Sequence, residues 1–192
     1  MDETSYRILV RVAISLTVIF IAVSIYDCGY KNSNPGDLPY LEADNFFEDG
    51  QYQKALEKYT EALKVDAADI HALRGKARSL MQLGRFEEAQ TVYDLAIKLE
   101  PGFATSYANR GILHDRMGEY QKALADYAKA MQLDPQINEG PHWLTRLMRN
   151  QPDKPPGIAD RARYLREQLA KPQSERLLRV PEIDAKQRTY KQ

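Results

Sequence analysis

Cysteine is almost missing from this 192-residue chain: Cys28 stands alone, so no intrachain disulfide can form and the fold must rest on packing. Histidine is scarce as well. His71, His114 and His142 have no His or Cys partner at metal-ligand spacing, which excludes a zinc-type cluster, and a packed structural role is expected for His114. No glycine-rich phosphate loop, nucleophile elbow or HExxH sequence occurs, and Cys28 has no evident activating neighbour. These absences argue against an enzyme and predict no cofactor, no metal and no small-molecule substrate. Net charge is absent too: 27 Lys and Arg balance 27 Asp and Glu, so the total selects no partner.

The charge is unevenly placed. Residues 36–137 carry 12 Lys and Arg against 17 Asp and Glu, whereas residues 140–192 carry 12 against 6. A basic C-terminal segment following an acidic middle is expected to pack back on that middle, because the signs already match. Anionic lipid or another protein are the alternative occupants of its surface. The basic segment contains Tyr164 and Tyr190 but no recognisable reading module, so no nucleic acid is expected.

One long apolar run is present, ILVRVAISLTVIFIAVSIY at residues 8–26. As a helix its 19 residues would reach about 28 Å, near the thickness of a bilayer core. The preferred reading is a single-pass signal anchor, with residues 1–27 forming a cytosolic N-terminus and transmembrane helix and residues 28–37 a linker. A signal peptide cleaved near Ser24 is the second reading. Lipidation of Cys28 is the third, poorly served by Tyr26 and Asp27. Arg7 and Arg11 precede the run and only Lys31 closely follows it, which predicts an inner-membrane protein whose bulk is periplasmic.

The middle of the chain repeats. YQKAL occurs at residues 52–56 and again at 120–124, a separation of twice 34, and a matching phrase, FEEAQTVYDLAIKLEP, begins halfway between them at residue 86. Windows 36–69, 70–103 and 104–137 align without gaps. They share Gly50, Gly84 and Gly118, the aromatics Tyr52, Phe86 and Tyr120, and the alanines Ala55, Ala89 and Ala123. Tyr59, Tyr93 and Tyr127 then align, followed by Ala62, Ala96 and Ala130, with Pro101 and Pro135 closing two windows where the first has Ala67. Each place has a physical task. Glycine ends a first helix in the left-handed conformation. Alanines seven apart let another helix approach closely, the tyrosine between them fills the larger gap, and proline stops the second helix.

This pattern resembles a tetratricopeptide repeat array. The resemblance implies an all-α, right-handed α-solenoid of three helix–turn–helix repeats. A C-terminal capping helix at 138–151 would follow, burying Trp143, Leu144, Leu147 and Met148, and then a basic helical tail at 152–192. Within that tail, Ile158, Ala162, Leu165 and Leu169 form one stripe, and Ser174 is expected to cap a further short helix. The sequence departs from the family in two places. Pro39, Leu73 and Tyr107 stand where the family often has Trp, and Glu42, Lys76 and Arg110 stand where it often has Leu. The first window is the least regular.

In such arrays the first helix of each repeat lines a concave groove. The resemblance assigns Tyr40, Asp44 and Phe47 to it from the first repeat, His71, Arg74, Arg78 and Met81 from the second, and Thr105, Asn109, Ile112 and Arg116 from the third. Arg74, Arg78 and Asn109 partly resemble the clamp with which some relatives hold a peptide carboxylate. The next helix has Glu139 and Trp143 where further cations are expected, and a solvated arginine face is the plainer reading. The implied function is a membrane-tethered scaffold or assembly factor that holds a protein partner, as a peptide or helix, in the groove. A constitutive accessory subunit of a membrane complex and a cytosol-facing docking receptor on an organelle membrane are the alternatives.

Overall fold

The computed structural model describes residues 12–23, 37–139, 156–180 and 189–190. Eight α-helices, and no strand, occur among the described residues. The chain divides into two compact units, Met1–Leu38 and Pro39–Gln192.

In the first unit, residues 12–23 form helix α1, in which Thr17 Oγ1 donates to the Ala13 carbonyl at 2.9 Å. Its apolar side chains, Leu16 and Phe20 among them, are exposed. At 1.5 Å per residue this helix reaches about 18 Å, against about 30 Å for a bilayer core. Among the described residues no helix is long and apolar enough to cross a membrane. The expected localisation, an inner-membrane anchor over residues 8–26 with periplasmic repeats, is therefore corrected. Residues 8–11 and 24–26 of that run lie outside the described residues.

Three helix pairs follow, all in the second unit apart from residues 37 and 38: α2 (Asp37–Glu48) with α3 (Tyr52–Val65), α4 (Ile70–Gln82) with α5 (Phe86–Leu99), and α6 (Ala104–Arg116) with α7 (Tyr120–Leu133). The repeated alanines Ala55, Ala62, Ala89, Ala96, Ala123 and Ala130 are all buried, as are Tyr59, Tyr93 and Tyr127. The YQKAL phrase thus opens the second helix of the first and third pairs, with its alanine at the helix contact. Gly50, Gly84 and Gly118 lie in the left-handed region, with φ of 74°, 76° and 80°. Each closes its first helix in the same way. At the middle turn, for example, Gly84 N–H donates to Met81 O at 3.2 Å and Arg85 N–H to Leu80 O at 2.9 Å, the paired bonds of a Schellman motif.

Two of the charged residues at the family's leucine place, Glu42 and Arg110, have ionic partners on second helices. In the first pair Glu42 meets Lys58 Nζ at 3.1 Å. In the third, Arg110 donates to both oxygens of Asp126, at 2.8 and 2.7 Å, and to Asp94 at 2.7 Å. Positions 42 and 110, like 58 and 126, are two repeat lengths apart, so the same contact recurs with its charges exchanged. His114 is buried beside this network, with Nδ1 2.6 Å from Glu119 Oε2.

The open apolar face of α7 is covered by α8 (Ile158–Leu169), whose Ile158, Ala162 and Leu165 join the core around Ala123, Tyr127 and Ala130. The expected capping residues Trp143, Leu144, Leu147 and Met148 lie outside the described residues. Ser174 does not cap a helix. It lies within a three-residue 3₁₀ turn, Gln173–Glu175, and residues 176–180 are not helical. Side chains of α8 take the main-chain groups that a helix would use internally. Tyr164 OH donates to Leu177 O at 2.5 Å, Leu177 N–H donates to Gln168 Oε1 at 3.1 Å, and Arg161 Nη2 donates to Leu178 O at 3.0 Å.

Candidate functional site

Helices α2, α4 and α6 are the first helices of the three pairs and carry all eleven residues assigned to the groove. The structure gathers six of them into one cluster. The Tyr40 ring meets His71 edge-on at 5.6 Å, and His71 Nδ1 lies 3.4 Å from Arg74 Nη2. Arg78 Nη2 donates to Asp44 Oδ1 and to Tyr59 OH, both at 3.4 Å, while its guanidinium stands 4.6 Å from the Phe47 ring centroid. Tyr59 OH in turn donates to Asp44 Oδ1 at 2.5 Å.

The arginines are not a solvated face. Arg74 and Arg78 are only 5% and 6% exposed. The Arg74 guanidinium lies 3.7 Å from the centroid of the Phe103 ring, and its Nη1 finds no hydrogen-bond partner among the described residues. Burial pulls the Arg74 pKa down to about 10 from its usual 12.5, and it pulls Arg116 in the same direction. Arg74 has therefore lost water without gaining a full set of acceptors.

A buried phenol feels the charge of these cations. Tyr93, on α5, is wholly buried, and its hydroxyl has no hydrogen-bond partner among the described residues. Burial raises its pKa, while the charges of Arg78, Arg116 and Arg74 each act to lower it. Three guanidinium groups from α4 and α6 thus act on one hydroxyl. The tyrosine periodicity marks Tyr93 as a packing residue, and nothing in its spacing shows that the charges of three arginines act on it.

The remaining assigned residues are divided. Met81 and Ile112 are buried in the core instead of lining an open surface, and Thr105 is half-buried at the start of α6. Arg116 Nη1 donates to Gln82 Oε1 at 3.4 Å. Asn109 is fully buried and bonded to the main chain of Tyr190. Chemically, the arrangement offers cationic and hydroxyl donors to an anion. Among the described residues, no group of His, Cys, Asp and Glu converges to hold a metal ion.

Family models described as tetratricopeptide repeat match residues 46–109 and residues 104–137. Residues 46–137 are tetratricopeptide repeats. Over 110 residues, 57% of this chain, the sequence is 31% identical to Hsp70-Hsp90 organizing protein 2 of Arabidopsis thaliana, of which the match covers 19%. The chain spans under a fifth of the length of the curated relatives it matches most strongly. Among solved structures, the TPR2B domain of yeast Sti1 in its pHsp70 complex aligns with a TM-score of 0.51 at 25% identity, covering 61% of this chain and 92% of that one. The first TPR of Spaghetti (RPAP3), bound to the HSP90 peptide SRMEEVD, aligns with a TM-score of 0.58 at 19% identity and covers 71% and 94%. At that identity the likeness is one of fold.

Proposed function

We propose that this tetratricopeptide array is a protein-binding scaffold, not a catalyst, and that its groove holds the acidic C-terminal end of a partner's extended peptide. The observation that carries this reading is that Arg74 Nη1 and the Tyr93 hydroxyl are both buried with no partner among the described residues, while the charges of Arg74, Arg78 and Arg116 all act on that hydroxyl. A carboxylate accepts from several donors at once, and guanidinium groups suit it best. Such a ligand restores to the buried cations the acceptors they lose on folding. The likeness to a chaperone-organizing protein, and to a repeat domain solved in an Hsp70 complex, makes chaperone C-termini the first candidates.

Arg78 is already engaged by Asp44, so the free donor capacity lies mainly with Arg74 and Tyr93. Titrating the peptide SRMEEVD into the wild-type chain and into Arg74→Gln tests the reading. The variant is expected to bind at least ~10-fold more weakly, since hydrogen bonds to charged groups contribute about 1.5–3 kcal/mol. Equal affinity for the two proteins would contradict the assignment.

A further inference from the structure

The C-terminal end of the chain is held on α6, the helix that supplies the third repeat's share of the groove. Asn109 takes both main-chain groups of Tyr190: Nδ2 donates to Tyr190 O at 3.0 Å, and Tyr190 N–H donates to Oδ1 at 2.7 Å. A side-chain amide used in this way imitates a neighbouring strand. It reads an extended backbone through one N–H and one C=O and fixes its register. Asn109 is fully buried, so both of its polar atoms depend on that backbone.

The tyrosine side chain is read as well. Its hydroxyl accepts from Ile158 N–H at 3.0 Å, a first-turn amide of α8 with no partner inside the helix. Its ring packs against the core formed by α6, α7 and α8. Upstream, Arg179 donates to the Arg116 carbonyl, so residue 179 is held beside one of the three arginines. Asn109 and Arg116 are seven residues, about 10 Å, apart along α6. These contacts are a few hydrogen bonds, one of them from a guanidinium, and a half-buried ring, the same kinds of contact that a foreign extended peptide makes.

We propose that Thr189–Tyr190 is a resident peptide ligand of the Asn109 site, that this site takes an extended segment carrying a tyrosine, and that a partner peptide must displace it to occupy the third-repeat side of the groove. Tethering supplies the tail at an effective concentration on the order of millimolar, so weak intrinsic affinity keeps the site filled. The competition presupposes the peptide groove proposed above, but occupancy by the tail does not. A probe made from the chain's own sequence therefore separates the two.

The probe is a fluorescent synthetic peptide of residues 185–192, AKQRTYKQ, titrated by anisotropy into full-length protein. Tyr190→Gly, which empties the ring site of the tethered tail, is expected to bind it at least ~10-fold more tightly than wild type. Adding Asn109→Ala to that variant should abolish the gain. If that double variant loses its helical circular dichroism, Asn109→Asp takes its place, since it keeps the acceptor and loses the donor. Equal affinity for wild type and Tyr190→Gly, or no binding to either, overturns the proposal. Failure of SRMEEVD to bind, with AKQRTYKQ still captured through Asn109, removes the carboxylate groove and leaves the resident tail standing.

Discussion

Arg161 and Asp115 form a buried, two-pronged ion pair across 46 residues of sequence, with Nε to Oδ2 at 2.6 Å and Nη2 to Oδ1 at 2.8 Å. Tyr127 OH donates to the same carboxylate at 3.2 Å, so the pair joins α6, α7 and α8 at one point. The basic segment is thus fastened to the array by a specific ion pair, in addition to the bonds made by Arg179 and Tyr190. Removing one partner leaves the other charged and buried, which costs about 3–5 kcal/mol. Asp115→Ala should lower the thermal midpoint sharply. Replacing both partners together, Asp115→Leu with Arg161→Met, should recover most of that loss. A single variant that melts like wild type would contradict this role.

Gly111 and Gly102 should respond oppositely to alanine. A Cβ at Gly111, inside α6, would meet the Tyr127 ring at 2.6 Å, and that ring is fully buried and unable to move aside. Overpacking of this kind costs about 1–3 kcal/mol, outweighing the roughly 1 kcal/mol that alanine gains over glycine within a helix. Gly102 has open space around it, so Gly102→Ala should be nearly neutral. Chemical denaturation of the two variants decides the matter. A stabilised Gly111→Ala would show that the tyrosine ring can shift.

The three aligned tyrosines should separate when each is changed to phenylalanine. The hydroxyls of Tyr59 and Tyr127 are bonded to Asp44 and Asp115, whereas that of Tyr93 is without a partner among the described residues. Tyr59→Phe and Tyr127→Phe should each cost about 1 kcal/mol or more, with Tyr93→Phe neutral or stabilising. The Tyr93 variant should nevertheless weaken capture of SRMEEVD. Three equal losses in denaturation would mean that Tyr93 is bonded like its counterparts.

Alkaline pH should unfold the array over a defined window. Burial, aided by the nearby Asp44 charge, pushes the Tyr40 phenol up to about 12 from its usual 10.0, and burial raises Tyr59, Tyr93 and Tyr190 in the same direction. The unfolded chain gives up these protons first. Tyr40's contribution to stability is therefore complete below pH 10 and is lost as the pH climbs through about 12, and the other three act with the same sign. Ultraviolet absorbance of tyrosinate, followed together with circular dichroism, should show these tyrosines ionising only as helix is lost. Full ionisation near pH 10 with the helix intact would contradict the burial assigned to them.

The repeats were legible because close helix contacts demand small residues at fixed intervals. Ala55, Ala89 and Ala123 show that demand directly, and all three are buried. The occupant of Asn109 was not legible. It is held through main-chain atoms of a residue 81 positions away, and main-chain atoms leave no mark in a sequence. Arg161 reads as one charge among many on α8, because its partner Asp115 belongs to another helix. The N-terminal run misled in a different way. Apolar composition over residues 8–26 satisfies a count, whereas spanning a membrane also requires helix length, and the described helix covers only residues 12–23. Arg74 and Arg78 are assigned to a groove by resemblance alone, whereas their burial, and the missing acceptor at Arg74 Nη1, follow from packing against Phe103 and Phe47.

The most direct measurement compares SRMEEVD as the free C-terminal acid with the same peptide amidated at its C-terminus, by isothermal titration calorimetry. It should be run on the wild-type chain and, so that the resident tail cannot mask the result, on Tyr190→Gly. If Arg74, Arg78 and Arg116 around Tyr93 hold a carboxylate, the acid binds and the amide binds at least ~10-fold more weakly, a difference of about 1.4 kcal/mol or more. Equal binding of the two forms, or no binding of either to Tyr190→Gly, would contradict the account.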